Sequence, residues 1–202
     1  GFEVSGSDVH PPEGPLQEGF ARCGVRFVQG HHADHLPDGA GLVVHSSCIR
    51  PDNPEILAAR ERGVPVTHRS QVLRWLMLTC WSVGVTGAHG KTTTTALAAL
   101  IYAKAGLVPS AAIGGIVHEF SSNALCGDGN IFIAEADESD GTHAALCADC
   151  AIILNVDAEH LDHYKTIDNL IASMADFIAR IKPGGILCYN REDPAVRSLA
   201  AS

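Results

Sequence analysis

Val83-Gly84-Val85-Thr86-Gly87-Ala88-His89-Gly90-Lys91-Thr92-Thr93-Thr94-Thr95 is the stretch on which the fold turns. Residues 83–86 read as a short buried strand, the next four are small or turn-forming, and the pattern over 91–105 is helical. A strand, a glycine-bracketed turn and a helix in that order open a parallel βαβ unit. Small residues in such a turn let backbone N–H groups close around phosphate oxygens, and the helix N-terminus adds its positive end. On this reading Gly87, Ala88, His89, Gly90, Lys91, Thr92 and Thr93 form a phosphate cradle. Lys91 reaches the β- and γ-phosphates and the Thr92 hydroxyl ligates Mg2+, while Thr93 to Thr95 also serve helix packing. The strict G-x-x-x-x-G-K-[ST] pattern requires glycine at position 85, where the chain has Val85. A glycine turn that merely caps a helix is the alternative.

Downstream, Ala134-Glu135-Ala136-Asp137-Glu138-Ser139-Asp140 packs four acids into six positions at the end of a predicted strand, 131–136. Such crowding is costly unless cations offset the repulsion. Ligands of α/β sheets bind beyond the carboxyl ends of the strands, which is where Glu135 falls; a solvated acidic loop is the alternative. Asn155-Val156-Asp157-Ala158-Glu159-His160-Leu161-Asp162-His163-Tyr164 follows a third apolar run, 151–156, and is expected on the same edge. His160 there can ligate a second metal or touch a phosphoryl group, against the default of a surface histidine in a loop. Three strand ends are thus expected to converge on one crevice and to bring Lys91, Glu135 and His160 together.

Further strands are read at 25–28, 42–45, 64–67 and 186–189, and helices at 16–22, 54–62, 71–78 and 167–180, with a last short helix over 193–202. Residues 1–8 read as the tail of a strand and a turn. The alternation argues for α/β architecture with mainly parallel sheets: an incomplete Rossmann-like domain over 1–80, then a partial second domain of phosphate-loop type over 81–202. The chain is expected to be an internal part of a longer protein, since it opens without an initiator Met and closes on a helix with no following strand.

Composition narrows the function classes. With 46% hydrophobic and 18% charged residues in 202, the chain is globular. Its net charge of −9 leaves no basic stripe for a nucleic-acid backbone. The acidity is local: 7 basic and 9 acidic residues precede position 80, against 7 and 14 after it. The seven cysteines are scattered, which fits a reduced cytosolic protein. Cys147 and Cys150 lack a second pair at zinc spacing and are read as structural. The run His31-His32-Ala33-Asp34-His35 has metal-site composition, but its spacing is helical and it lies in the other domain, so it is not read as a metal site. No apolar run approaches the about 20 residues that cross a bilayer.

The three motifs in this order, with Ser5-Gly6-Ser7-Asp8, Gly30-His31 and Ser46-Ser47 upstream, resemble the Mur ligases of peptidoglycan synthesis over essentially the whole chain. His89, and Ser139-Asp140-Gly141 after the acids, favour the alanine-adding branch; Ala88 departs from the threonine usual there. The resemblance implies three domains: UDP-binding, ATPase and a C-terminal amino-acid-binding domain absent from this chain. It implies ATP-dependent joining of L-alanine to the carboxylate of UDP-N-acetylmuramate through an acyl phosphate, with the isolated piece inactive. By the same resemblance Lys91 steadies the transferring phosphoryl group, Thr92 and Glu135 hold the ATP-linked Mg2+, and His160 helps to hold a second, which makes Lys91, Glu135 and His160 the catalytic groups. Ser7, Asp8, His31 and Ser46 line the sugar-nucleotide pocket, and Ser139 is a further substrate contact.

Rival readings stand beside this one. A sibling ligase adding a peptide, or a folylpolyglutamate-type ligase, shares the central domain. A non-catalytic nucleotide-binding module needs no second metal site. A nicotinamide-dependent oxidoreductase would need a G-x-G-x-x-G that the chain lacks.

Overall fold

The computed structural model describes residues 2–201, and the chain divides into two compact units, one reaching Val72 and the other beginning at Leu73. The first unit holds β1 (Ser5–Asp8), α1 (Pro15–Arg22), β2 (Arg26–Gln29), β3 (Val43–His45), α2 (Pro54–Glu61) and β4 (Val66–His68). β1 pairs with β2 and β3 with β4, both in parallel. Of residues 1–8, read from sequence as the tail of a strand and a turn, Ser5 to Asp8 are strand: Ser7 and Asp8 stand opposite Val28 and Gln29 in the ladder. A short polar side chain does not stop a strand when a parallel partner satisfies its backbone. Gly1 and Ser202, the outer residues of two expected elements, lie outside the described residues. Helix α2 begins sharply because the Asn53 side chain accepts from the amides of Glu55 and Ile56 and Pro54 needs no hydrogen-bond partner for its nitrogen.

Helix α3 (Arg69–Thr79) carries the chain across the division. The division falls upstream of position 80 because Leu73, Leu76 and Met77 pack into the core of the second unit. That unit contains β5 (Trp81–Thr86), α4 (Lys91–Lys104), β6 (Ser110–Val117), β7 (Ser122–Leu125), β8 (Ile131–Glu135) and β9 (Cys150–Ile153). It ends with α5 (Leu161–Tyr164), α6 (Ile167–Ala179), β10 (Ile186–Tyr189) and α7 (Pro194–Ala201).

These six strands form one sheet in the order β10-β9-β5-β8-β6-β7. All neighbours are parallel except the β6–β7 hairpin, two strands absent from the sequence reading. β5 lies between β8 and β9 and is buried from Ser82 to Thr86, as expected of a parallel strand covered on both faces. Val83, Val85 and Ile133 pack with Ala99 on one face; Phe132 and Ala134 pack with Met77 and Phe177 on the other. The ladder pairs Val85 with Glu135 and Thr86 with Ile153, so three carboxyl ends finish level with one another. Helix α6 presents Leu170, Met174 and Phe177, spaced by four and three residues, as a buried stripe, and Thr166 caps it by accepting from the Asn169 amide. Cys150 is buried on β9 beside Cys188 of β10, and burial, reinforced by that neighbouring thiol, pushes its own thiol up to about 11. No helix among the described residues is long and apolar enough to cross a membrane.

Candidate active site

Gly87 to Gly90 leave β5 in a turn that requires glycine at Gly87. Its φ is 134°, and a Cβ there would stand 3.0 Å from both the Asn155 amide nitrogen and the Leu154 Cβ. Asn155 locks the turn: its Oδ1 accepts from the His89 amide at 2.8 Å, and its Nδ2 donates to the His89 carbonyl at 3.0 Å. The Ala88 amide adds a bond to the Asn155 carbonyl. Gly90, in the left-handed region, precedes α4 and supplies no side-chain cap, so the first amides of a 14-residue helix open onto the turn.

A cleft of about 220 Å3 lies at this point, lined by Ala88, Gly90, Lys91, Thr92, Thr93 and Glu135. The Lys91 ammonium donates to the Gly87 and Ala88 carbonyls and to Glu138 Oε1 at 2.9 Å. Thr92 Oγ1 donates to Glu135 Oε1 at 3.1 Å. The Gly114 amide donates to Glu135 Oε2 at 2.7 Å, and a Cβ at Gly114 would come within 2.6 Å of that carboxylate. The neighbouring β6 strand therefore orients the acid, and a side chain at Gly114 would displace the carboxylate from this position. His89 Nε2 lies 3.2 Å from Asp157 Oδ2; the Ala158 amide, then His89, hold the Asp157 carboxyl below its ordinary range.

His160 occupies the left-handed region at φ 56° and begins the single turn α5. Its Nε2 is 3.7 Å from Glu138 Oε1. Glu138, Glu159 and His160 each offer a donor atom, all within 4.8 Å of one another. Thus the structure sets Thr92 against Glu135, and His160 against Glu138 and Glu159. Ser139 turns away into a local bend, its amide and hydroxyl both bonding to Asp137. Thr95, behind the cleft, is buried and bonds back to the Lys91 carbonyl.

In the first unit Ser7 donates to both Glu55 oxygens, at 2.7 and 2.8 Å, and lies 3.3 Å from His31 Nδ1. His31 and His35 each approach Glu55 Oε1 to 3.4 Å. Asp8 accepts from the His10 amide and, with Ser7, Gly6, Phe20 and Phe27, lines a cleft of about 300 Å3. Ser46, after β3, sits 2.9 Å from Cys48 Sγ and does not join that group.

Sequence reasoning passed over Asn155 as a loop clamp, and over Glu138 and Glu55 as the acids that receive Lys91 and Ser7. Asn155 stood at the polar end of the run 151–156, a position that marked a strand end but not the distant turn that it clamps. Glu55 carried no signal, being an ordinary acid in the first turn of a helix.

The chemistry available in the second unit is anion binding with charge neutralisation. Open helix amides and an ammonium serve phosphate oxygens; a hydroxyl beside a carboxylate, and a buried carboxylate oxygen without a hydrogen-bond partner (Glu138 Oε2), fit hard divalent cations. Comparisons with known proteins identify the family. The family model described as the Mur ligase middle domain matches residues 85–202, and that described as the Mur ligase family catalytic domain matches 1–80. The UDP-N-acetylmuramate–L-alanine ligase of Myxococcus xanthus is 41% identical over 199 residues, covering 98% of this chain and 42% of that protein. Its counterpart from Streptomyces avermitilis is 44% identical, with the same coverage. The crystal structure of the UDP-N-acetylmuramate–alanine ligase of Thermotoga maritima superimposes with a TM-score of 0.85 at 27% identity, over 97% of this chain and 45% of that one. The chain therefore spans less than half the length of each of these three relatives.

Proposed function

Because the chain belongs to the Mur ligase family, we propose that it is the sugar-nucleotide-binding and ATP-binding part of a cytosolic ligase joining L-alanine to UDP-N-acetylmuramate. The observation that carries this reading is the cleft where Lys91, Thr92 and Glu135 meet at the carboxyl ends of β5 and β8. A carboxylate and an amine do not condense unaided in water; ATP supplies activation of the muramate carboxylate as an acyl phosphate, and Mg2+ supplies neutralising charge.

The residues divide the work. Gly87 to Gly90 and the first amides of α4 bind the phosphates, and Lys91 places a positive charge where charge moves during transfer. Thr92 and Glu135 would hold the nucleotide's Mg2+, and His160 would help to hold a second ion, with Glu138 and Glu159 as its companions. In the first unit Ser7, Asp8 and His31 would meet the sugar nucleotide, with Glu55 fixing the Ser7 hydroxyl. The contacts found for Ser46 and Ser139 are local turns, so their part in substrate binding rests on the resemblance alone.

The test uses the intact protein, with ATP, Mg2+ and UDP-N-acetylmuramate, offering L-alanine, other amino acids and a peptide in parallel. ADP release and amide product should require L-alanine. Lys91→Ala should cut product formation by at least about a hundredfold, while calorimetry finds UDP-N-acetylmuramate affinity largely kept. Product with a peptide alone would reassign the chain to a sibling activity. ATP binding without any amide product would make it a nucleotide-binding module.

A further inference from the structure

All three N–H donors of Lys91 are engaged. Two meet carbonyls of its own loop, Gly87 at 2.9 Å and Ala88 at 3.3 Å, and the third meets Glu138 Oε1 at 2.9 Å. The carbonyl contacts keep the ammonium inside the cradle and are compatible with a bound phosphate. The third contact is different, because it gives an anion of the protein the donor that a phosphate oxygen would use.

Glu138 is held firmly in this role. Its side chain is 1% exposed, and its backbone carbonyl receives both the Tyr164 hydroxyl and the Gly141 amide. Oε2 has no hydrogen-bond partner, and His160 Nε2 stands back at 3.7 Å, so Lys91 is the cation that stabilises this buried carboxylate. The Lys91 side chain is itself only 13% exposed. A nucleotide that takes Lys91 leaves behind a buried charge without its partner, and that cost is set against its binding.

We propose that Glu138 is an internal anion that holds Lys91 until a polyphosphate displaces it, and thereby sets the affinity of the site for nucleotide. This rests on the reading of Lys91 as a phosphate ligand. It makes Glu138 a positioning residue that opposes binding, whereas an acid that merely braced the loop would favour it. Neutralising Glu138 therefore strengthens phosphate binding.

Calorimetry of the full chain with ATP, ADP and adenosine, without divalent cation, tests this in the wild type, Glu138→Gln, Lys91→Ala and the double variant. Glu138→Gln should bind ATP and ADP about tenfold tighter, the scale of one charge-assisted hydrogen bond exchanged for another. Adenosine affinity should stay the same, and the gain should shrink in the Lys91→Ala background. If Glu138→Gln fails to fold, Glu138→Ala serves, because it too removes the carboxylate that engages Lys91. Unchanged or weaker ATP binding, or an equal gain without Lys91, overturns the proposal. Should Lys91→Ala leave ATP binding as it was, the nucleotide reading falls and this inference with it. A loss in Lys91→Ala with no gain in Glu138→Gln sinks this inference alone.

Discussion

Both ring nitrogens of His143 lie in the core without a hydrogen-bond partner, with the ring 6.1 Å from that of Phe177. Burial lowers its pKa from 6.5 to about 4. The folded state therefore resists a proton that the unfolded chain accepts between those values. The stability associated with a neutral His143 is fully present above pH 6.5 and is lost as pH falls toward 4, by about 3 kcal/mol. Urea titrations across this range should show His143→Phe losing that slope relative to the wild type and gaining about 1 kcal/mol at pH 7, since no unpaired nitrogen remains. An equal slope in both proteins would show that His143 keeps a proton partner when folded. Nothing local announces this burial, because Thr142-His143-Ala144 reads as a polar turn and the ring that covers it belongs to α6. The acids of 135–140 teach the same lesson. Their crowding marked a site, yet only the fold separates Glu135, facing Thr92, from Glu138, facing Lys91.

Elements with strong periodicity were legible and weakly patterned ones were not. α6 carries a stripe of large apolar residues, β5 an unbroken buried run, and both stand where the sequence places them. β6 escaped because Ser110-Ala111-Ala112-Ile113-Gly114-Gly115 has the composition of a loop. Its glycine answers to the Glu135 carboxylate, a tertiary demand invisible in the strand itself. The joints between elements were equally hidden. Lys182, after α6, donates to the Met77 and Cys80 carbonyls at the end of α3 and to Asp149 Oδ2 at 2.8 Å. The same Asp149 oxygen accepts from the Ser82 amide. Burial pushes the Asp149 carboxyl up, but Lys182 and Ser82 outweigh it and hold it below its ordinary value. Lys182→Met should cost about 2 kcal/mol at neutral pH, since two carbonyls and a carboxylate lose one cation. The loss should narrow as pH falls below 3.8, where Asp149 takes up a proton in the unfolded chain and then in the folded one. A cost independent of pH would assign the role to the carbonyls alone.

At the scale of the molecule, the two-unit α/β organisation and the order of motifs could be read directly, because strand-turn-helix alternation is a property of local sequence. The partners that shape the site could not, since Asn155 and Gly87 are far apart in the chain and meet only through the pairing of β9 with β5. That meeting has a consequence for how the sheet breathes. The loop of Gly87 to Gly90 is closed by Asn155, and Leu154 beside it donates its amide to the Thr86 carbonyl. β9 cannot fray at its carboxyl end without opening the loop, and a ligand that fixes the loop forbids the fraying. Native-state hydrogen exchange should therefore slow at Leu154 and the β9 ladder when ATP is added, while the amides of β7, at the far edge of the sheet, keep their rates. The occupancy of a surface cleft would be written in the solvent exchange of an interior strand.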